Sequence, residues 1–177
     1  MSWSRFLRKI FAPLARRPPS SIDLERSIPH LAFEQAALRA SAAAFSASGD
    51  RFAFEALLIH VRVLRSFYFD KWDATSQWAE STVVAELYFR HRADWRGVKG
   101  SKVTPALVRT KIAIDKQLAH LTKERVQTFQ ELESEVEPLV AELDTVWEHF
   151  LFQLGKQRDV QPFRDALSAK CAELGVS

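Results

Sequence analysis

Apolar residues recur along this chain at steps of three and four, the spacing of one helix face, rather than at the two-residue step of a strand. Trp3, Phe6, Leu7, Ile10, Phe11 and Leu14 draw the first such stripe, which predicts a short amphipathic helix over residues 1–17. Two prolines, Pro18 and Pro19, then stop it. Proline cannot continue a helix, so 18–28 reads as a linker and 29–177 as the main domain. Pro29 suits a first helical turn and starts a helix that runs to Gly49. Asp50 caps the next, RFAFEALLIHVRVLRSFYF, the most apolar segment and the expected centre of the fold. A third helix is predicted over 78–92, a loop over 93–102, and a fourth helix from Thr104 and Pro105 to Arg125. Ser134 and Glu137 have capping-box spacing ahead of a stripe of Leu139, Val140, Leu143, Val146, Trp147, Phe150, Leu151 and Leu154. Gly155 ends that helix, and a last one over 162–174 closes the chain. Stripes of this kind bury one another in an all-α helical bundle of about five helices.

Composition changes this picture little. The 177 residues are 47% hydrophobic and 27% charged, with only 5 glycines, an ordinary globular balance of sufficient length for one buried core. The single cysteine, Cys171, offers neither a disulfide framework nor a thiolate metal site and fits a reducing compartment.

Charge changes it more. The net +3 arises from 25 basic and 22 acidic residues. Arg5, Arg8, Lys9, Arg16 and Arg17 lie within the first 17 residues, which hold no acid. The remainder therefore has 25 − 5 = 20 basic residues against 22 acids, a net −2. No apolar run is long enough to span a bilayer, and charges interrupt every candidate secretory core. A cytoplasmic protein is expected, with residues 1–17 free to lie on an anionic membrane surface or to dock on a protein.

Candidate chemistry sits in three places. His60 shares a helix face with Ala53, Ala56, Leu57, Val63, Leu64 and Phe67. It reads either as a core histidine bonded to a neighbouring helix or as a catalytic group. Arg62 lies on the opposite, polar strip with Arg51, Glu55 and Ser66, as an ion-pair partner or an anion contact. His120 shares a face with Arg109, Lys116 and Glu124. Cations beside an imidazole suit phosphate chemistry, because they hold an anion while the ring moves a proton. The third place gathers Arg90, Arg92, Arg96, Lys99 and Lys102 around Trp95. Cations neutralise phosphates and an exposed indole stacks a base, so this stretch is the candidate nucleic-acid contact; Trp95 folded onto the core is the alternative. The metal motifs Glu-x-x-His and His-Glu-x-x-His are absent, as is a phosphate-binding glycine loop, so no metal and no cofactor are expected.

Two stretches, EALLIHVRVLRSFYF and, beyond a tryptophan-containing segment, IDKQLAHLTKER, resemble a group of bacterial helical proteins similar to the HEPN superfamily. That superfamily comprises helical dimers and includes ribonucleases of toxin and phage-defence systems. The resemblance covers roughly residues 30–155. It implies a homodimeric helical module that binds RNA or protein, or a metal-independent ribonuclease with His120, Arg62, His60 and Arg125 as its site. The chain departs from the active-enzyme pattern of an arginine, four to six residues and a histidine: before His120 those positions hold Ala113, Ile114 and Asp115. Arg109 lies about 16 Å away along a helix axis, too far to share one phosphate directly. A non-catalytic interaction module is thus the leading expectation. The ribonuclease and a membrane protein anchored through its N-terminal helix follow.

Overall fold

The structure, a computed structural model, describes residues 16–99, 107, 114 and 134–176, and of residues 96–99 the backbone alone. The described residues form an all-α bundle with no strand. Its helices are α1 (Ser21–Ser48), α2 (Arg51–Phe69), α3 (Arg92–Lys99), α4 (Val136–Leu154) and α5 (Gln161–Leu174), with a short 3-10 turn, η1 (Ala85–Tyr88). Leu107 and Ile114 are helical and buried in the same core.

α1 begins eight residues ahead of Pro29, inside the expected linker. Ser20 and Asp23 form a capping box: the Asp23 amide donates to Ser20 Oγ at 3.2 Å, and the Ser20 amide to Asp23 Oδ2 at 3.0 Å. The Ser20 hydroxyl and amide hold the Asp23 carboxyl below its ordinary pKa. Pro29 lies within the helix, where it withholds the N–H that the Glu25 carbonyl would accept. Next to that gap Tyr88 Oη donates to the Leu24 carbonyl at 2.9 Å and contacts Ser27 Oγ, tying the opened turn to η1. At the other end Gly49 adopts φ 64°, a left-handed conformation that glycine accepts without cost, and Asp50 caps α2 through the Phe52 amide at 3.1 Å.

α1 packs along both α2 and α5, and α4 crosses α1 and α2. Because α1 has neighbours on two sides, its buried residues run through consecutive positions, Gln35, Ala36, Ala37 and Leu38. The α4 stripe is spent inside this core, with Leu139, Leu143, Val146, Trp147, Phe150, Leu151 and Leu154 all buried. Its N-cap is Glu135, one residue past the expected Ser134, and the Glu135 side chain makes no cap bond.

The helix predicted over 78–92 is instead turns followed by η1. Local polar side chains bond the backbone and compete with helix there. Asp73 accepts from the Thr75 amide and hydroxyl at 2.8 and 2.7 Å, and Trp72 Nε1 donates to the Ala79 carbonyl at 2.8 Å. Fully buried Glu86 accepts the Trp72 amide at 3.0 Å. Conversely, the loop predicted over 93–102 begins as α3. Gln157 holds its start, accepting the Arg90 amide at 2.9 Å and donating to Asp94 at 2.7 Å.

One polar network crosses the core. Gln35 is fully buried and donates to Asp144 Oδ1 at 2.7 Å, which also accepts Arg39 Nε at 3.0 Å. Tyr68 points its hydroxyl at Gln35. Burial pushes the Tyr68 phenol well above its ordinary pKa, with the Asp144 and Glu148 carboxylates adding to the shift. Tyr88 is raised too, by burial, against the opposing pull of Ser27 and Arg158. These are the only two tyrosines in the sequence. An unfolded phenol ionises near pH 10.0, while the folded ones stay protonated. The unfolded state therefore sheds protons that the native state keeps, and stability falls as pH rises above about 10. In an alkaline titration, phenolate absorbance should stay flat through pH 10 and then rise together with loss of helical circular dichroism. A normal phenol titration in the still-helical chain would contradict this burial.

Candidate functional site

α1 and α2 run back along each other from their two-residue connection, and a groove of about 820 Å³ opens between them. On α1 it is lined by Ser27, His30, Leu31 and Glu34, and on α2 by Ile59, Arg62, Val63, Ser66, Phe67 and Asp70. Steps of three and four place each set on one face of its helix. Residues 82–84 form the third wall. The floor, Leu31 and Phe67, belongs to the core. The open edge does not: Ile59 is 46% and Val63 41% exposed. The apolar line continues beyond the groove to Phe52 on α2, at 80%. Spacings of seven and four residues align Phe52, Ile59 and Val63, opposite the buried line of Phe54, Leu57, Leu58, Val61 and Leu64. α2 is thus apolar on two faces and buried on one, which corrects the expectation of a central helix.

Polar groups frame the groove. His60 Nδ1 meets Glu34 Oε2 at 2.7 Å across the α1–α2 seam, and the Phe33 ring packs edge-on against the imidazole at 6.1 Å. His60 is therefore bonded to a neighbouring helix, the first of the two readings open to it. Two residues on, Arg62 is about 200° away round α2, on the opposite flank, and lines the groove. Asp70 ends α2 and pairs with Arg65 at 3.5 Å. The arrangement offers an apolar trough with a mixed rim of His30, Glu34, Arg62 and Asp70, suited to holding apolar side chains. The described residues bring together no cluster of three histidine, cysteine or acidic groups able to hold a metal ion.

Of the stretch read as a nucleic-acid contact, the described residues place Trp95 in the core, the alternative reading of that indole. Trp95 is 1% exposed, donates Nε1–H to the Tyr68 carbonyl at 2.8 Å and stacks on Phe89 at 5.6 Å and 17°. Its ring is closed to a base, a correction to its role as a stacking platform. The Arg92 guanidinium lies 4.8 Å over the Trp72 ring, a cation–π contact within the chain. Arg90 is exposed. Arg96 and Lys99 are on α3 with only their backbone described, and Lys102 lies outside the described residues. So do His120 and Arg125, and Trp3, Phe6, Leu7, Ile10, Phe11 and Leu14 of the N-terminal stripe. A second hollow of about 400 Å³ joins Arg39, Glu148, Arg164 and Cys171. Its cations are already paired, Arg164 with Glu148 at 3.2 Å and Arg39 with Asp144, and Cys171 is buried.

No family model, curated protein or solved structure matches the chain. Among the described residues no helix is long and apolar enough to cross a membrane. Sequence reasoning missed Glu34, Ile59, Val63 and Asp70 as site residues. The available signal was the second apolar line on α2, Phe52, Ile59 and Val63, which one core-facing stripe does not use.

Proposed function

We propose that this protein is a HEPN-like helical interaction module of the cytoplasm that works without catalysis. It receives an amphipathic, basic helix of a protein partner in the groove between α1 and α2. The observation that carries this reading is the open line of Phe52, Ile59 and Val63 running into a groove whose rim mixes Glu34 and Asp70 with His30 and Arg62. Exposed contiguous apolar surface on a soluble domain marks an interaction site, and a helix inserting side chains at steps of three and four is the usual occupant of such a trough. The net −2 of the chain outside residues 1–17 favours lysine and arginine on the partner's flanks. RNA is the weaker choice, since the residue that would stack a base is buried.

The test uses the full chain and a fluorescent peptide of leucine and lysine at helical spacing, read by anisotropy. Saturable binding is expected, weakened about tenfold, or ~1.4 kcal/mol, by Ile59→Asp combined with Val63→Asp. Phe152→Asp, a change at an exposed phenylalanine of α4 outside the groove, should leave binding unchanged. Equal affinity for all three proteins would sink the reading. Circular dichroism checks that the variants keep their helices, as exposed positions should.

A further inference from the structure

The groove takes in Ile59 and Val63 of the open line on α2 and leaves Phe52 outside it. Phe52 is the most exposed large apolar side chain among the described residues, so it has the most to gain from cover. The positions along α2 are symmetric about Ile59. Phe52 lies seven residues before it and Ser66, which lines the groove, seven after, about 10 Å each way along the helix. At 100° per residue the three fall within about 40° of one another round the axis. Beside Ser66 the groove has Phe67 in its floor and Val83 and Val84 in its wall, apolar surroundings for a phenyl ring.

The charges repeat this symmetry. Glu55 stands four residues before Ile59 and Arg62 three after it, both on the same flank of the line. The other flank carries His60, held to α1 through Glu34. A second α2 laid antiparallel on the first, with a two-fold axis at Ile59, brings Glu55 of each copy level with Arg62 of the other to within about 1.5 Å along the axis. A two-fold contact is isologous, so the pair forms twice. Glu55 also meets Arg51 at 3.5 Å within its own helix, and a carboxylate accepts from two cations at once. α2 fits the occupant argued for above as well. It is amphipathic, and Arg51, Arg62 and Arg65 against the single acid Glu55 make it basic.

We infer that the partner is a second copy of this chain: two α2 helices pack antiparallel about a two-fold axis at Ile59, Phe52 of each copy enters the groove of the other beside Ser66, and Glu55 of each pairs with Arg62 of the other. This rests on the groove being a helix-binding site, as proposed above. Each copy then lends the ring that closes the groove of the other.

Sedimentation velocity of the full chain at tens of micromolar should show a dimer, and Phe52→Ser should give a monomer. Glu55→Arg and Arg62→Glu should each weaken the dimer about tenfold. The double variant should regain it, because the pair is restored with its signs exchanged. A double variant no better than either single one overturns the antiparallel register. Mild oxidation should link two chains of Ile59→Cys, whose thiols meet on the axis, and not two chains of Phe152→Cys, exposed on α4. Equal linking of both overturns the interface. The leucine–lysine peptide separates this inference from the reading beneath it. Peptide that splits the dimer into monomers supports both, since the two ligands share one groove. A chain that stays monomeric yet binds the peptide overturns self-pairing and leaves the groove as a helix-binding site. A monomer that binds no peptide overturns both, and peptide bound to an intact dimer places the second copy elsewhere and overturns this inference alone.

Discussion

Replacing Phe150 by alanine should lower the unfolding free energy by about 3–5 kcal/mol, a large share of the ~5–15 kcal/mol that holds a domain folded. Phe150 is fully buried on α4 at the point where the described elements meet. Its ring centroid lies 5.6 Å from those of Phe67 and Trp95, 5.8 Å from Tyr88 and Phe163, 5.9 Å from Phe89 and 6.1 Å from Tyr68. Most of these pairs are edge-to-face, a geometry worth about 0.5–1.5 kcal/mol beyond area alone. Alanine would leave a void bordered by six rings, and rings on four separate elements and the link after η1 cannot all close in to fill it. In urea the midpoint should drop sharply with the slope nearly unchanged. Phe150→Leu should cost clearly less. A loss under about 1 kcal/mol for the alanine variant would mean that the cluster does not hold the bundle together.

Trp95→Ala should be as damaging, about 3–5 kcal/mol, although α3 is only eight residues long. The indole is the anchor of that helix, packed on Phe89 and Phe150 and bonded to the end of α2 through the Tyr68 carbonyl. Trp95→Phe separates the two contributions. It keeps a ring but strands a buried carbonyl, at a cost of about 1–3 kcal/mol. Denaturation of the two variants gives both numbers. The same pair tests the stacking role read for this indole: an exposed stacking indole would lose RNA binding at no cost in stability, and a buried anchor does the reverse.

Long stripes were legible in the sequence and punctuation was less so. α2 and α4 follow from their apolar spacing because each presents one coherent face to the core, and Gly49 and Asp50 mark the junction of α1 and α2 plainly. Pro29 misled in the opposite sense. Proline is common in a first turn, yet here the Ser20–Asp23 box starts α1 earlier and Tyr88, distant in sequence, ties down the turn that Pro29 opens. The stretch of Val83, Val84, Ala85, Leu87 and Tyr88 has the composition of a helix, but Asp73 and Thr75 bond the backbone ahead of it and Glu86 is held by the Trp72 amide. The groove was hidden for a related reason. A line such as Phe52, Ile59 and Val63 looks like core until it is known which side of α2 the neighbours occupy. His60 was readable as a bonded histidine, whereas its partner Glu34 follows only from how α1 and α2 pair.

α1 joins the most local and the most remote parts of the chain. Its pairing with α2 closes a connection of two residues, while the meeting of Arg39 with Cys171 bridges 132 positions. Loop closure costs little for the first and more for the second, so the α1–α2 hairpin can assemble before α5 arrives. Opening of the last helix would have to free Phe163 from the aromatic cluster together with its long seam on α1. Cys171, the chain's single thiol, is covered in that pairing. Its rate of reaction with a thiol reagent consequently times the opening of α5, giving the native protein an internal clock for its longest-range pairing.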